Sequence, residues 1–175
     1  MNKNLTKLIL TALFAAMTCV ATMVIKVSTV GTNGYVNIGD TIVLLSAWLI
    51  GGVYGGLAAG IGSCLADLIS GYVTYVPGTF VIKFFMAIAA YFIYMVLKKI
   101  NLHKIVAYVV SGVVAEVIMV GGYFLYESTL LGYGLAAVPS IGSNAIQGGT
   151  CLVLGLVAVL ILEGTKAVSQ IKKFV

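Results

Sequence analysis

Four ionisable residues, Asp40, Asp67, Lys83 and Glu116, lie within or at the ends of long apolar runs. An acid or an amine in such surroundings can transfer a proton, form an ion pair or bind a ligand. If the runs cross a membrane, each charge is costly to bury and is expected to face a protein interior or a water-filled cavity. The elements that hold these residues therefore have to be identified first.

The composition indicates that the apolar runs span a membrane. Hydrophobic residues make up 61% of the 175 residues and charged residues only 9%, whereas soluble proteins carry about 25% charged residues. The runs are continuous and do not alternate, which favours helices over a β-barrel. We expect an all-α, multi-pass protein of the cell membrane with a single membrane domain, residues 1–175.

The sequence predicts six transmembrane helices. They are expected near residues 5–25, 39–51, 54–71, 78–98, 104–126 and 141–163. The second is too short to cross alone at about 1.5 Å per residue. Glycines at 51, 52, 55 and 56 predict that it packs closely against the third.

The lysines predict the orientation of the helices. With a cytoplasmic N-terminus, eight of the ten basic residues fall on the inner side: Lys3, Lys7, Lys98, Lys99, Lys104, Lys166, Lys172 and Lys173. This positive-inside bias predicts that the N- and C-termini are both cytoplasmic. The net charge of +5 is thus explained by topology and by contact with the lipid bilayer, and no binding of nucleic acid is expected.

Amide and tyrosine side chains enlarge the polar set in the outer half. Asn144 and Gln147 share a face of the sixth helix, Asn37 lies in the first outer loop, and Tyr75 and Tyr123 lie near the outer interface. The amides could instead join helices, and the tyrosines could form an aromatic belt. The inner half has little membrane-depth polarity beyond hydroxyls. This asymmetry predicts a polar pocket open to the outside and closed toward the cytoplasm.

The ionisable residues also have structural interpretations. Asp67 and Lys83 could neutralise each other. The sequence favours Asp40 as the N-cap of the second helix over a contact with ligand. Glu116 has the weakest structural explanation, because its helix carries no other charge, and it is expected to bind ligand.

No catalytic or metal-binding arrangement is predicted. The lone histidine, His103, lies in the inner loop between the fourth and fifth helices, and no two carboxylates share a convincing helical face. The three cysteines fall in predicted spans without a CxxC motif. We expect no catalytic residue, no metal site, no cofactor and no enzymatic activity.

Two segments resemble a family of vitamin transporters. GYVNIGDTIVLLSAWLIGGVYGGLAAGIGSCLADLISGYVTYVPGTFVIKFFMA, residues 34–87, and SIGSNAIQG, residues 140–148, resemble the substrate-binding S component of energy-coupling-factor (ECF) transporters, in the riboflavin-type branch. The resemblance implies that a vitamin is captured at the extracellular face, among the fourth to sixth helices and the outer loops. It also implies partners: an ECF scaffold subunit in the membrane and two ATPase subunits.

The polarity and the resemblance together give a set of expected ligand-binding residues: Lys83, Glu116, Asn144 and Gln147, followed by Asp67, Asn37, Tyr75 and Tyr123. Ala12 and Ala16 match the alanine motif with which the family docks on its scaffold. Vitamin B6 is the first expected substrate, followed by hydroxymethylpyrimidine and then riboflavin or pantothenate. The alternative is a structural or small-molecule-exporting membrane protein whose buried charges only pair with each other.

Overall fold

A computed structural model describes residues 3–165, 168–169 and 171. In this part of the chain it forms a bundle of six α-helices with one small β-hairpin. The helices are α1 (Lys3–Val24), α2 (Asp40–Leu49), α3 (Gly52–Ile69), α4 (Val76–Lys99), α5 (Lys104–Leu125) and α6 (Val138–Gly164). The hairpin pairs β1 (Lys26–Ser28) antiparallel with β2 (Tyr35–Asn37).

The helices confirm the predicted all-α membrane architecture. Five are long and apolar enough to cross a membrane, and α2, with 10 residues, is not. The hairpin was not predicted, although Asn33-Gly34 between two valine-containing stretches is a turn signal. The structure therefore adds a short sheet to the first outer loop.

Four helices, α1, α3, α4 and α6, begin two or three residues earlier than predicted, and α4 and α6 each have a proline in the first turn. Pro77 and Pro139 lie in the first turns of α4 and α6. Proline is tolerated there because the first backbone N–H groups of a helix have no acceptor within the helix. After the last residue of α5, the chain continues through a π-helical turn, Tyr126–Leu130. This turn carries Glu127 into the interior.

The two ends of the bundle differ. At the hairpin end, which holds the hairpin and the starts of α2, α4 and α6, the Lys26 ammonium donates a hydrogen bond to the Ser70 hydroxyl beyond α3. At the turn end, which holds the α2–α3 and α4–α5 turns, Lys104 pairs with Glu163 near the end of α6. These contacts fix which helix ends are neighbours.

The predicted grouping of lysines agrees with this arrangement where it can be compared. Lys98, Lys99 and Lys104 lie at the α4–α5 turn, and α1 begins at Lys3. Lys166, Lys172 and Lys173 lie outside the described residues. That the turn end faces the cytoplasm stays a prediction.

Small residues allow the backbones to approach closely in the middle of the chain. A Cβ atom at Gly60 would lie 3.0 Å from the Phe80 carbonyl oxygen of α4, and one at Gly55 would lie 2.7 Å from the Ser46 carbonyl oxygen of α2. The tight connection between α2 and α3 uses Gly51, whose φ of 71° favours glycine. The predicted close packing of α2 on α3 is confirmed.

Gly62 provides a stability test of the α1–α3 interface. A Cβ atom there would lie 2.4 Å from the Ala15 carbonyl oxygen, so we expect Gly62→Ala to force α1 away and cost about 1–3 kcal/mol of stability. The measurement is the unfolding temperature of the detergent-purified protein. The control is Gly121→Ala on α5, where nothing lies within 4 Å, and it is expected to leave that temperature unchanged or raised. Equal unfolding temperatures for the two variants would contradict the close approach of α1 and α3.

Candidate ligand-binding site

A polar chamber lies inside the bundle at the hairpin end. Its walls come from α1, the hairpin, α3, α4, α5, the π-helical turn and α6. Seven of the eight predicted ligand-binding residues line it: Lys83, Asn144, Gln147, Asp67, Asn37, Tyr75 and Tyr123. Residues that lie up to about 110 positions apart in the sequence, such as Asn37 and Gln147, are brought together here, with 2.6 Å between the Asn37 backbone nitrogen and the Gln147 side-chain oxygen.

Lys83 is neutralised by Asp40. The ammonium group donates to Asp40 Oδ1, and both side chains are almost fully buried. Asp40 Oδ2 accepts a hydrogen bond from the amide nitrogen of Gln147. The proposed pairing of Lys83 with Asp67 is therefore not the one that forms, although both residues line the chamber.

The N-cap interpretation of Asp40 is wrong. The N-cap of α2 is Gly39, no side chain caps the helix, and Asp40 is the first helical residue. Its side chain is 1% exposed and points to the Lys83 ammonium. The acid turns inward because an unpaired lysine in the bundle interior would be far more costly than an uncapped helix end.

Asp67 contacts the hairpin. Its Oδ1 accepts a hydrogen bond of 2.6 Å from the Tyr35 hydroxyl, whereas its buried Oδ2 has no hydrogen-bonding partner among the described residues. Burial, together with the neighbouring Asp67 charge, raises the pKa of the Tyr35 phenol well above its ordinary value. Tyr35 therefore stays protonated at neutral pH and donates a hydrogen bond, and Asp67 has one acceptor atom left for a further donor.

Glu127 is a second acid at the chamber that sequence reasoning missed. It is 2% exposed and accepts hydrogen bonds from the Tyr75 hydroxyl, at 3.0 Å, and from the Ser140 hydroxyl. Burial, the largest effect, raises the pKa of the Tyr75 phenol. The phenol therefore stays protonated and donates its hydrogen bond to Glu127. Hydropathy alone placed Glu127 in a loop, since it follows the predicted end of the fifth helix. The neighbouring tyrosine-rich sequence was the available signal.

The aromatic wall of the chamber is formed by Tyr123. Its hydroxyl is 3.0 Å from the Thr79 hydroxyl, and its ring centroid is 5.3 Å from the Lys83 ammonium. Asn144, one turn before Gln147 on α6, is also buried and lines the chamber. Charged, amide and aromatic groups thus meet in one place, and together they offer hydrogen-bond donors, acceptors and an aromatic ring to a small molecule.

Glu116 does not line the chamber. It is 6% exposed, and a Cβ atom at Gly148 would lie 3.0 Å from its Oε2. Neither carboxylate oxygen has a hydrogen-bonding partner in the described part of the chain. Glu116 instead borders a largely apolar cleft of about 530 Å³ between α5 and α6. The expectation that it shares a pocket with Asn144 and Gln147 is not met.

The turn end holds more polarity than predicted. The Tyr108 hydroxyl donates to Glu163 at 2.8 Å, and the Glu163 carboxylate also pairs with Lys104. The Trp48 indole N–H donates to the Ser111 hydroxyl at 3.1 Å. An apolar layer that includes Leu44, Met86 and Met119 is fully buried in the bundle core.

The predicted docking residues lie on the surface. Ala12 and Ala16 are exposed on α1, whereas the adjacent Ala15 is buried. Neither alanine borders the chamber. Within the described residues, no group of three His, Cys, Asp or Glu side chains has the geometry of a metal site. The chemistry of the chamber is hydrogen bonding, ion pairing and ring contact.

Comparison with known proteins agrees with this geometry. The family model "ECF-type riboflavin transporter, S component" matches residues 2–164. A protein of Pyrococcus woesei, described as "Uncharacterized protein in gap 3'region", is 44% identical over 64 residues, which cover 37% of this chain and 43% of that protein. The match thus spans less than half of that relative. Because the family model covers nearly the whole chain, this multi-pass membrane protein belongs to the family of S components of ECF-type riboflavin transporters.

Proposed function

We propose that this chain captures a heteroaromatic vitamin in its chamber from the extracellular side. An ECF scaffold subunit and two ATPase subunits then drive the transport. The chain itself binds and does not catalyse. The proposal places the hairpin end outside and the turn end in the cytoplasm, in keeping with the lysines of the α4–α5 turn.

The observation that carries the proposal is the concentration of buried hydrogen-bonding groups at one end of an apolar bundle. Lys83, Asn144 and Gln147 offer amine and amide groups, and Asp67 offers an acceptor. Tyr123 adds a ring that can stack on a heteroaromatic ligand, for about 0.5–1.5 kcal/mol beyond burial. Groups of this kind are costly in a membrane unless they face a binding site or each other.

Capture requires the hairpin to move. The chamber has a volume of about 20 Å³, room for about one water molecule. Tyr35 and Asn37 on β2 form part of its wall. The hydrogen bond from Lys26 to Ser70 joins the start of the hairpin to the end of α3. We infer that the hairpin swings outward to admit the vitamin and then closes over it.

Riboflavin is the first vitamin to test, because the matching family model carries its name. Vitamin B6, favoured from the sequence, is the second, since a small pyridine ring with hydroxyl groups suits the mixture of amine, acid and tyrosine. Hydroxymethylpyrimidine is the third. Pantothenate, which has no aromatic ring, is tested last in this panel, and its binding would contradict the heteroaromatic form of the proposal. The rival function is a structural or exporting protein whose buried charges only neutralise each other, and that protein would bind none of the panel.

Asn144 tests the chamber without disturbing an ion pair. We expect Asn144→Ala to weaken vitamin binding by about tenfold or more, because one buried hydrogen bond to ligand contributes about 1–3 kcal/mol. The measurement is a titration of the purified protein with riboflavin and pyridoxine, followed by fluorescence or heat. The control is Asn101→Gly at the turn end, where the φ of 57° suits glycine, and its affinity is expected to equal that of the unmodified protein. Equal affinity for Asn144→Ala would remove Asn144 from the site.

Ala12 and Ala16 test the docking strip. We expect Ala12→Trp and Ala16→Trp to abolish vitamin uptake by cells that also produce the scaffold and ATPases, because a bulky ring blocks close helix approach. Vitamin binding by the purified variants is expected to be unchanged. Ile146→Trp on α6, a side chain that is 74% exposed, is the matched control and is expected to transport normally. Loss of binding in the alanine variants would assign the strip to folding.

A further inference from the structure

Asp40 connects three structural elements through its two carboxylate oxygens. One oxygen accepts from the Lys83 ammonium of α4 and the other from the Gln147 amide of α6, while Asp40 itself begins α2. Lys83 and Gln147 line the chamber, whereas Asp40 does not. The acid therefore lies behind the two residues that face the ligand site.

Gln147 extends this connection to the hairpin. Its side-chain oxygen accepts a hydrogen bond of 2.6 Å from the backbone N–H of Asn37, the last residue of β2. Because its nitrogen donates to Asp40, the amide orientation is determined at both ends. A chain of hydrogen bonds thus runs from the hairpin through Gln147 to Asp40, which also accepts from Lys83.

We propose that Asp40 is a positioning residue of the vitamin site. This inference rests on the proposed function of the chamber. Asp40 does not contact the vitamin; it aims the Lys83 ammonium and the Gln147 amide at the chamber. Through Gln147 it also holds β2 in the closed position. One carboxylate therefore orients the ligand-facing groups and keeps the hairpin closed over the chamber.

Asp40→Asn breaks this chain in a predictable way. The new amide nitrogen faces the Gln147 nitrogen, and turning either amide moves the donor–donor conflict without removing it. The substitution also leaves the buried Lys83 without its counter-ion. Gln147→Glu alone is milder, because two facing carboxylates share one proton, and that proton keeps the hydrogen bond between positions 40 and 147.

The exchanged pair Asp40→Asn with Gln147→Glu restores the hydrogen bonds of this cluster. The amide introduced at position 40 would accept from Lys83 through its oxygen and would donate, through its nitrogen, to the carboxylate introduced at position 147. That carboxylate would still accept from the Asn37 N–H and would carry the negative charge that position 40 has lost. Because Gln147 itself faces the ligand, the double variant is the matched control for Asp40→Asn in the exchange of the Asn37 amide and not in vitamin binding.

Two readouts test the inference. We expect Asp40→Asn to bind riboflavin about tenfold or more weakly than the unmodified protein. In ligand-free protein, it is also expected to exchange the backbone amide of Asn37 with deuterium about tenfold or more faster, because that amide has lost its acceptor geometry. The exchanged pair is expected to return the Asn37 exchange rate to within about threefold of the unmodified protein. A residue that only stabilises the fold would change the unfolding temperature without this reciprocal rescue.

The outcomes are separable. Unchanged vitamin binding and unchanged Asn37 exchange in Asp40→Asn, or an exchanged pair whose Asn37 amide exchanges as fast as in Asp40→Asn, would overturn the positioning role. If Asp40→Asn does not fold, the exchanged pair decides: folding with a protected Asn37 amide supports the role, and failure to fold or to protect that amide overturns it. If the unmodified protein binds none of the vitamin panel, the proposed function fails, while the Asn37 exchange rates still decide whether Asp40 holds β2.

Discussion

A lysine in the interior of a membrane bundle has to be neutralised, and the arrangement of the hairpin end follows from this constraint. The partner of Lys83 is Asp40, and both side chains are buried. Asp40 is the first residue of α2, and its carboxylate points inward to Lys83 instead of capping the helix. The second oxygen of the same carboxylate then fixes Gln147, and Gln147 fixes the hairpin strand. Breaking such a pair on one side leaves a buried charge, which costs several kcal/mol.

The same bundle separates two polar regions by an apolar layer. The hairpin end has the chamber, with Asp67 and Glu127 held by tyrosine hydroxyls from the hairpin and from the start of α4. The turn end has Glu163 held by Tyr108 and Lys104. Met86 and Met119 lie in the fully buried core. A polar chamber at one end of the bundle fits the proposed capture of a ligand from one side, with its transport driven by a separate energy-coupling module.

The sequence predicted how deep the polar residues lie in the bundle, but it did not predict which partners their side chains meet. Hydropathy predicted the helices and placed Lys83, Asp67 and Asn144 at the right level, and all three line the chamber. It offered Asp67 as the partner of Lys83 and favoured Asp40 as a helix cap, whereas Asp40 is the partner. Both acids lie at a similar depth, and which of them meets Lys83 depends on how α2 and α3 pack around α4. Glu127 was missed because the π-helical turn, which carries it inward, has no clear hydropathy signal.

Glu116 shows a further limit of helical periodicity. It shares a face of α5 with Tyr123, seven residues later, but seven residues are about 10.5 Å along a helix. Tyr123 reaches the chamber, whereas Glu116 lies two turns deeper, beside Gly148. Sharing a helical face was therefore not sufficient to share a pocket. The depth of the chamber floor is set by side-chain packing between α5 and α6, which no single segment encodes.

The central claim is that the hairpin-end chamber holds a vitamin. It is tested most directly by identifying the small molecule that co-purifies with the protein after extraction from the membrane. The measurement is mass spectrometry of small molecules released by denaturing protein purified from cells grown with the vitamin panel. The account predicts one flavin, or one other heteroaromatic vitamin, per chain, with a reduced amount in Asn144→Ala. Repeated preparations of folded protein that release no vitamin would contradict it.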